Sequence, residues 1–483
     1  MFENISNNKI YRNLFDGDWK ECCGGKTIKI FSPSTEELIG EVQSCTKEDV
    51  NTIIENSKAN QKDWGDMPIN HRASILHKAA SILDENVDYL AKLLQLEIAK
   101  DKDSAISEVK RTADFIRFTA DEGKHIGGEA INADSFPGFD KNKFSLVTRV
   151  PLGIVLAISP FNYPINLSAS KIAPALMAGN SVILKPPTQG SISALHLAEI
   201  FNLAGLPKGV LTTVTGSGSE IGDYIVTHES INFINFTGST EVGKHIAKIA
   251  GMVPMLLELG GKDAAIVLGD ADIEDAANDI VIGAYSYSGQ RCTAVKRVIV
   301  LNSVADELVN LIKKNIEKLK VGSPESDASI IPLIDKKSAD YVQELIDDAI
   351  EKGAKLIIGN KRDRNLIYPT LFDFVTPDMR VAWEEPFGPV LPVIRVNNLD
   401  EAISLANKSQ YGLQSSVFTK NIDDAFYVAR RLEVGTVQIN NKTERGPDHF
   451  PFLGVKASGM GTQGIRYSIE AMSRPKAIVL NVD

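Results

Sequence analysis

The chain has 483 residues, 43% of them hydrophobic, and a formal net charge of −10. At the usual size of about 150 residues per domain, it holds about three domain-sized units with sizeable cores. The acidic balance argues against nucleic acid or an anionic membrane as the main partner, whereas a local arginine cluster can still bind an anionic substrate. The cysteines form neither a disulfide framework nor a metal-binding pattern; they are Cys22, Cys23, Cys45 and Cys292. A reducing compartment and no metal are therefore expected.

The N-terminal sequence MFENIS lacks the basic segment and the apolar stretch of a secretion signal. No apolar run in the sequence reaches the length of about 18 residues that crosses a bilayer. The prediction is a cytoplasmic protein with no membrane partner.

Residues 46–123 are predicted to be helical, because apolar side chains recur there at helical spacing with polar residues between them. The recurring positions are Ile53, Ile54, Ala59, Trp64, Ile75, Leu76, Ala79, Ala80, Leu83, Leu90 and Leu94. From Gly153 onwards, short β-rich runs alternate with helical segments, at 154–158, 181–184, 210–214 and 231–236. Strands separated by single helices indicate right-handed crossovers and a parallel sheet covered on both faces.

A second α/β series runs from Asp263 to about residue 440. The break between the two series lies between Glu258 and Cys292, so a site that uses both residues lies in a cleft between domains. The predicted division is a discontinuous dinucleotide-binding domain, 1–130 and 152–262, followed by a catalytic domain, 263–448.

Two amphiphilic strands, 144–150 and 475–482, stand apart from both series and leave an apolar face to cover. With their flanks, at 131–151 and 449–483, they are predicted to form an oligomerisation arm and the C-terminal segment. An edge sheet on a monomer is the alternative.

One cysteine stands in a setting that suits chemistry. The run YSGQRCT at 287–293 places Cys292 in a small-residue turn beside Arg291. In a partly exposed, electropositive pocket the pKa of a cysteine falls, and its thiolate is a nucleophile. The run LELGGK at 257–262 ends an apolar strand with Glu258 and two glycines, so this carboxylate is a candidate base. A structural cysteine and a solvated strand end are the ordinary interpretations, but neither accounts for these neighbours.

Two glycine-containing segments are candidates for a dinucleotide phosphate site. GSGSEIG at 216–222 has the spacing G-x-G-x-x-x-G, one residue longer than the usual fingerprint. FTGSTEVG at 236–243 fits better, because a strand, a glycine turn and a helix start bring free N–H groups and the helix dipole to a phosphate. Gly238 and Ser239 are therefore the predicted phosphate contacts.

The segments ELGGK and GQRC together resemble the signatures of the NAD(P)-dependent aldehyde dehydrogenases. The resemblance implies an α/β, aldehyde dehydrogenase-like fold with a Rossmann-type cofactor domain, an α/β catalytic domain and a small β oligomerisation arm. In that family the cysteine forms a thiohemiacetal, the glutamate activates the hydrolytic water, and an asparagine binds the aldehyde oxygen. These roles fall on Cys292, Glu258 and Asn162, the last in the run ISPFNYP at 158–164. By its neighbours alone, Asn162 is a turn former.

The cofactor contacts follow the same resemblance. The run EPFGP at 385–389 matches the family segment whose glutamate holds the nicotinamide ribose and whose phenylalanine abuts the nicotinamide, here Glu385 and Phe387. The run ILKPPT at 183–188 places Thr188 where NAD-using relatives commonly carry a glutamate. A glutamate repels a ribose 2′-phosphate, whereas Thr188 can donate a hydrogen bond to it and Lys185 can pair with it. The prediction is NADP rather than NAD.

Three arginines, Arg111, Arg291 and Arg445, suit a phosphate, because a guanidinium binds phosphate through two parallel hydrogen bonds. The runs NYP at 162–164, KPPTQGS at 185–191, YSGQRCT at 287–293 and PDHFPF at 447–452 resemble the non-phosphorylating glyceraldehyde-3-phosphate dehydrogenase branch of the family. The resemblance covers essentially the whole chain. It implies that the substrate phosphate is surrounded by Arg111, Tyr163, Arg291 and Arg445.

The implied function is the irreversible oxidation of D-glyceraldehyde 3-phosphate, an intermediate of glycolysis, to 3-phosphoglycerate with NADP, by a homotetramer built as a dimer of dimers. Another aldehyde dehydrogenase with an anionic substrate such as succinate semialdehyde is an alternative, because arginine also binds carboxylates. A catalytically silent structural member is disfavoured by the presence of both Cys292 and Glu258. A CoA-acylating enzyme normally lacks the glutamate base, so Glu258 disfavours it.

Overall fold

The computed structural model describes residues 2–326 and 328–482. The α-helices are α1 Lys47–Asp66, α2 Ile69–Glu85, α3 Val87–Ile98, α4 Lys102–Glu122, α5 Asn166–Met177, α6 Ser191–Leu203, α7 Asp223–Val226, α8 Thr240–Ile249, α9 Ile273–Tyr285, α10 Asn302–Ile316, α11 Lys336–Glu351, α12 Leu399–Asn407, α13 Ile422–Arg431 and α14 Ile465–Ala471. The strands are β1 Ser6–Asn7, β2 Ile10–Tyr11, β3 Asn13–Phe15, β4 Asp18–Lys20, β5 Thr27–Phe31, β6 Leu38–Gln43, β7 Glu129–Asn132, β8 Lys143–Pro151, β9 Ile154–Ile158, β10 Ser181–Lys185, β11 Leu211–Thr213, β12 Phe233–Thr237, β13 Met255–Glu258, β14 Ala264–Val267, β15 Arg297–Leu301, β16 Lys355–Ile358, β17 Arg362–Asp363, β18 Leu366–Ile367, β19 Thr370–Asp373, β20 Val390–Val396, β21 Tyr411–Gly412, β22 Gln414–Phe418, β23 Thr436–Ile439, β24 Val455–Lys456, β25 Gly459–Met460 and β26 Ser473–Asn481.

The first large sheet carries one side of the candidate site. Its strand order is β11-β10-β9-β12-β13-β25, and its strands run parallel except for the antiparallel β25. The register pairs Ile158 with Lys185 and Thr237 with Glu258, so the carboxyl ends of four strands meet at one edge. The strand order reverses between β9 and β12, the place where open α/β sheets bind ligands. The α/β fold and the parallel sheet that the sequence predicts are confirmed.

The second large sheet has the order β16-β19-β20-β15-β14-β22-β23, with β16 antiparallel to its neighbour. Alternate residues of β14 enter different apolar clusters. Ala264 and Ile266 pack with side chains of α11, α12 and α13, whereas Ala265 and Val267 pack with side chains of α9 and α10. Because successive strand residues point to opposite faces, helices cover this sheet on both sides.

The predicted helical segment, 46–123, forms the four helices α1 to α4. Ahead of it lie the strands β1 to β6, which the sequence analysis leaves unassigned. Their lengths range from two to six residues, too short for a periodic pattern to develop.

The two amphiphilic strands of the predicted arm lie in one antiparallel sheet of order β26-β8-β7. In the single chain this sheet is open to solvent, with Ile478, Val479 and Leu480 exposed by 50%, 55% and 37%. These three residues are consecutive, so β26 presents apolar side chains on both of its faces. The exposed apolar side chains of this strand are therefore not confined to one face, and the oligomerisation arm stays a prediction.

A buried carboxylate fixes the loop that follows β10. Glu97, on α3, accepts hydrogen bonds from the backbone N–H groups of Gly190, Ile192 and Ser193 at 3.1, 2.7 and 2.7 Å. Burial raises the pKa of Glu97 to about 7, although these hydrogen bonds oppose the rise. The contact ties α3 to the start of α6 and to the loop that begins after Lys185.

Replacing Glu97 by alanine is expected to lower the free energy of unfolding by about 2–5 kcal/mol, because buried N–H groups lose their acceptor. Thermal unfolding followed by circular dichroism measures the change as a lower midpoint. Glu85→Ala, at an exposed position at the end of α2, is the control and should change stability by less than about 0.5 kcal/mol. Equal midpoints for the two variants would contradict the role assigned to Glu97.

Candidate active site

Cys292 follows a strained loop that comes directly after helix α9. Tyr287, Ser288 and Gly289 have φ angles of 52°, 51° and 72°, in the left-handed region that side chains disfavour. At Gly289 a Cβ would lie 2.5 Å from a backbone carbonyl oxygen, so glycine is required there. The Ser288 hydroxyl donates a hydrogen bond to the carbonyl oxygen of Ile331 and accepts one from its backbone N–H, both at 2.8 Å. These two bonds hold the loop in this shape. Stored strain of this kind is common at functional sites.

The thiol of Cys292 differs from the expectation for a nucleophile beside an arginine. Burial raises the pKa of Cys292 to about 11, and the carboxylates of Glu258 and Glu385 add to the rise. The positive charges that oppose this rise are those of Lys296 and Arg445 rather than the expected Arg291, whose Nη2 donates to the carbonyl oxygen of Gly283 at 2.5 Å. Because a thiol is a weaker nucleophile than a thiolate, the sulfur of Cys292 must lose its proton before it can attack a carbonyl carbon.

Glu258 ends strand β13 beside Thr237 of β12. Its Oε2 accepts a hydrogen bond from Thr237 Oγ1 at 3.2 Å and lies 3.2 Å from Arg445 Nη1. Among the described residues, Glu258 Oε1 is buried without a hydrogen-bond partner. A buried oxygen without a partner is unfavourable, and it is the atom that can accept a proton from a water molecule in the site.

Lys171 is a residue that the sequence analysis missed. It lies on α5, and its buried Nζ donates to Thr237 Oγ1 at 2.7 Å. Burial lowers the pKa of Lys171 to about 8, and the nearby charge of Glu258 opposes this change. The signal in the sequence is a single charge within a helix of small and apolar residues, all of which are buried. Lys171 therefore helps to orient the candidate base through Thr237.

Asn162 lies in the loop after β9 and is 3% exposed. Its Nδ2 donates to the carbonyl oxygen of Gln290 at 3.0 Å, which joins this loop to the nucleophile loop. An amide nitrogen has two hydrogens, so a second donor remains for an oxygen atom bound next to Cys292.

A buried ion pair holds the loop that carries Asn162, called the asparagine loop below. Lys100 and Glu108 are in contact, and both side chains are 0% exposed. Glu108 accepts the backbone N–H groups of Ile165 and Asn166 at 3.0 and 3.1 Å, at the start of α5. Lys100 donates to the backbone carbonyl oxygen of Asn162 at 2.7 Å.

Two of the three predicted phosphate-binding arginines, Arg111 and Arg445, are paired with carboxylates. Arg111 donates through Nε and Nη2 to the two oxygens of Asp448, each at 2.7 Å. Arg445 Nε lies 3.6 Å from the same carboxylate. Burial tends to raise the pKa of Asp448, but the bonds from Arg111 and the charge of Arg445 hold it below its ordinary value. The sequence analysis missed Asp448, although a carboxylate three residues after Arg445 is a visible signal.

Tyr163 lies near two of the predicted phosphate-binding arginines, Arg291 and Arg111. Burial raises the pKa of Tyr163 to about 12, and the positive charges of Arg291 and Arg111 oppose the rise. A cavity of about 320 Å³ is lined by Asp103, Ser104, Ser107, Glu108, Arg111, Tyr163 and Asn166. Of the four predicted phosphate residues, Arg111 and Tyr163 line this cavity, and Arg445 reaches it indirectly through Asp448, the partner of Arg111.

A second cavity, of about 450 Å³, opens at the carboxyl ends of β9 and β12. It is lined by Ser159, Pro160, Phe161, Asn162, Leu167, Pro187, Phe236, Thr237, Gly238, Ser239, Val242, Leu259, Gly260, Cys292, Glu385 and Phe387. Six of the predicted site residues thus line one cavity, and Cys292 is the predicted nucleophile among them.

Contacts at Ser239, Glu385 and Gly260 shape the side of this cavity that is predicted to hold the cofactor. Ser239 caps the N-terminus of α8 and accepts a hydrogen bond from Val242 N at 3.4 Å, so the first turn of the helix faces the cavity edge. Glu385 Oε1 pairs with Lys296 Nζ at 3.0 Å. A Cβ on Gly260 would lie 2.1 Å from Glu385 Oε2, which explains the glycine there.

Phe387 has a φ of 45°, and its ring meets that of Phe161 edge to face at 5.8 Å. Lys185 and Thr188 lie outside the lining of this cavity, at the end of the adjacent strand β10. Lys185 Nζ is buried, with a long contact of 3.5 Å to the carbonyl oxygen of Pro186, and burial lowers the pKa of Lys185 to about 8. Thr188 is exposed. A weakly compensated lysine beside an exposed hydroxyl suits an anionic group.

Within residues 2–326 and 328–482, His, Cys, Asp and Glu side chains form no group of three that could hold a metal ion. No helix in the same part of the chain combines the length and the apolar character needed to cross a membrane.

Comparisons with known proteins agree with this geometry. The chain is 58% identical over 474 residues to the NADP-dependent glyceraldehyde-3-phosphate dehydrogenase of Streptococcus equinus, covering 98% of this chain and 99% of that protein. It is 50% identical over 484 residues to the enzyme of the same name from Arabidopsis thaliana, covering 100% of this chain and 97% of the relative. The crystal structure of NADP-dependent glyceraldehyde-3-phosphate dehydrogenase from Bacillus halodurans, complexed with NADP, superposes with a TM-score of 0.97 at 55% identity, over 98% of this chain and 99% of the other.

The model of the aldehyde dehydrogenase family matches residues 19–478, nearly the whole length. The matched range includes Asn162, Glu258 and Cys292. The chain belongs to the aldehyde dehydrogenase family.

Proposed function

We propose that the protein oxidises D-glyceraldehyde 3-phosphate to 3-phosphoglycerate with NADP, and that water accepts the acyl group. The observation that carries this proposal is the meeting of Cys292 and Glu258 beside an arginine cluster that suits a phosphate. Relatives at 58% and 50% identity over nearly the whole chain are NADP-dependent glyceraldehyde-3-phosphate dehydrogenases.

The first half of the reaction forms a thioester on Cys292. After losing its proton, the sulfur attacks the aldehyde carbon and forms a thiohemiacetal. Asn162 Nδ2 and the backbone N–H of Cys292 donate hydrogen bonds to the oxygen as it becomes negative. NADP, when bound, supplies the acceptor for the hydride that leaves this carbon.

The second half hydrolyses the thioester. Glu258 takes a proton from water through Oε1, the oxygen that has no partner among the described residues. Thr237 and Arg445 hold Oε2 and so keep Oε1 directed into the site. Because no acyl phosphate forms, the energy of the thioester is not conserved and the reaction is effectively irreversible.

The cofactor is proposed to lie across the carboxyl ends of the first sheet. The N-terminus of α8 suits its pyrophosphate, and the pocket at Glu385 suits the nicotinamide riboside. The weakly compensated ammonium of Lys185 and the exposed hydroxyl of Thr188 suit the ribose 2′-phosphate. The proposed contacts are Lys185, Thr188, Gly238, Ser239, Glu385 and Phe387.

The domain division and the assembly are part of the proposal. The proposed division is a cofactor domain, 1–130 and 152–262, a catalytic domain, 263–448, and an arm with a C-terminal segment, 131–151 and 449–483. The two large sheets support the first two domains, whereas β24 and β25 of the C-terminal segment pair with β21 and β13. The exposed apolar side chains of β26 support burial against a second copy in a homotetramer. The cytoplasm is the proposed compartment, on the basis of the free cysteines.

Purified protein with NADP is expected to form NADPH from D-glyceraldehyde 3-phosphate without any requirement for inorganic phosphate. Absorbance follows NADPH, and chromatography identifies 3-phosphoglycerate. Succinate semialdehyde, an anionic aldehyde without phosphate, is the comparison substrate and should react far more slowly. Cys292→Ser is the control and should retain NADP binding without oxidation. A phosphate requirement would overturn the hydrolytic mechanism, and a preference for succinate semialdehyde would overturn the substrate assignment.

Glu258→Ala is expected to release one equivalent of NADPH in a burst and then stall, because the acyl-enzyme lacks a base to activate water. Rapid mixing with stopped-flow absorbance measures the burst and the steady rate separately. Loss of the burst itself would show that Glu258 acts before hydrolysis.

Arg111→Ala is expected to lower kcat/KM for D-glyceraldehyde 3-phosphate by about 1.5–3 kcal/mol, roughly 10- to 150-fold, the range for hydrogen bonds to charged groups. The kcat/KM for unphosphorylated glyceraldehyde should change little. Arg117→Ala, on the same helix but paired with Asp84 and Asp114 near the surface, is the matched control. Equal losses with both substrates would assign Arg111 to the fold rather than to the phosphate.

Thr188→Glu is expected to raise the KM for NADP far more than the KM for NAD, because a carboxylate repels the 2′-phosphate. Steady-state kinetics with both cofactors measures the two effects. Thr188→Gln has the same shape without the charge and should cause a smaller change. Parallel changes for both cofactors would remove Thr188 from the proposed 2′-phosphate site.

A further inference from the structure

Arg445 contacts the candidate base as well as the predicted phosphate region. Its Nη1 lies 3.2 Å from Glu258 Oε2, and its Nη2 donates to Gln463 Oε1. Its Nε lies 3.6 Å from Asp448 Oδ1, and its guanidinium lies 5.0 Å from the ring centre of Phe452. The side chains of Arg445 and Glu258 are only 14% and 5% exposed, so water screens their attraction weakly.

This contact has a consequence for hydrolysis. Arg445 attracts the negative charge of Glu258, and that attraction must be overcome when the carboxylate takes a proton from water. The same contact fixes the direction of the carboxylate. Arg445 therefore orients Glu258 and at the same time restrains proton transfer to it.

Two arginines of the phosphate region, Arg111 and Arg445, have carboxylate partners before any substrate binds. Arg111 is bonded to Asp448 through two hydrogen bonds, and Arg445 is paired with Glu258. A phosphate dianion that binds here must draw hydrogen bonds from guanidinium groups that carboxylates already occupy. Of these two arginines, Arg445 is the one whose guanidinium lies against the base.

We propose that the substrate phosphate activates Glu258 by engaging Arg445; the inference rests on the proposed function. When the phosphate binds, Arg445 shares its positive charge between the phosphate and Glu258. A phosphorylated acyl-enzyme is then hydrolysed faster than an unphosphorylated one with the same thioester. The enzyme thus selects its substrate at hydrolysis as well as at binding.

The step balances without a further reactant. The water oxygen attacks the thioester carbonyl carbon while one water proton passes to Glu258 Oε1. The C–S bond breaks, and its electron pair leaves with the sulfur of Cys292. The proton held by Glu258 returns to that sulfur, and the products are the carboxylic acid and the free thiol. Arg445 acts on this step through Glu258 and is in that respect a positioning residue.

The test uses D-glyceraldehyde, which forms the same thioester without the phosphate. Rapid mixing of the full-length protein with NADP and D-glyceraldehyde separates a burst of NADPH, which reports acylation, from the later steady rate, which reports hydrolysis. Sodium phosphite is added as a separate dianion that can bind in the phosphate region in place of the missing substrate phosphate. With the unsubstituted protein we expect phosphite to raise the steady rate by about 3- to 30-fold without changing the size of the burst.

Arg445→Gln removes the charge and retains hydrogen-bonding groups. We expect this variant to hydrolyse the glyceraldehyde acyl-enzyme about 3- to 30-fold faster than the unsubstituted protein, with no further response to phosphite. Arg111→Gln should raise the phosphite concentration for the half-maximal effect by about 10-fold, because it weakens binding of the dianion. Arg117→Gln, outside the site, is the control and should leave both rates unchanged.

An arginine that only binds phosphate or only supports the fold predicts slower or equal hydrolysis in Arg445→Gln, and that result would overturn the proposal. A steady rate with D-glyceraldehyde that phosphite leaves unchanged would also overturn it, because the dianion would then not act on hydrolysis. If Arg445→Gln does not fold, the phosphite response of the unsubstituted protein decides the matter. Failure of the proposed function is distinguishable, since it would appear as no NADPH from D-glyceraldehyde 3-phosphate.

Discussion

The position of the candidate site depends on the buried ion pair between Lys100 and Glu108. Two charges without solvent exposure are unfavourable unless their remaining hydrogen bonds are also made. Glu108 accepts two N–H groups at the start of α5, and Lys100 donates to the carbonyl oxygen of Asn162. Loss of either partner would leave a charge buried alone, so the asparagine loop has one favourable position.

From this pair a connected set of bonds reaches each candidate catalytic group. Helix α5 carries Lys171, which orients Glu258 through Thr237. The amide of Asn162 reaches the nucleophile loop at Gln290. The candidate nucleophile, base and oxyanion donor come from distant parts of the chain, and these bonds connect the elements that carry them. Such preorganisation is a main source of catalytic rate enhancement.

In the predicted phosphate region, the positive charges of Arg111 and Arg445 are offset by nearby carboxylates. Burying unpaired arginines would be unfavourable, and the fold meets this constraint with the carboxylates of Asp448 and Glu258. An anion must therefore compete with internal partners to bind, which disfavours weakly charged ligands. Because Glu258 is one of those partners, recognition of the phosphate and activation of water become linked.

From residue 46 onwards the sequence by itself determined the alternation of the α and β elements and the candidates for the nucleophile and the base, and the family resemblance added the candidate phosphate-binding residues. These features are local, because periodicity and glycine turns are properties of neighbouring residues. Only the tertiary structure decided which charges face each other. Arg111 and its partner Asp448 are 337 residues apart, and Arg291 turns to a backbone carbonyl oxygen. It also decided that the pKa of Cys292 rises to about 11, because burial depends on how distant segments pack.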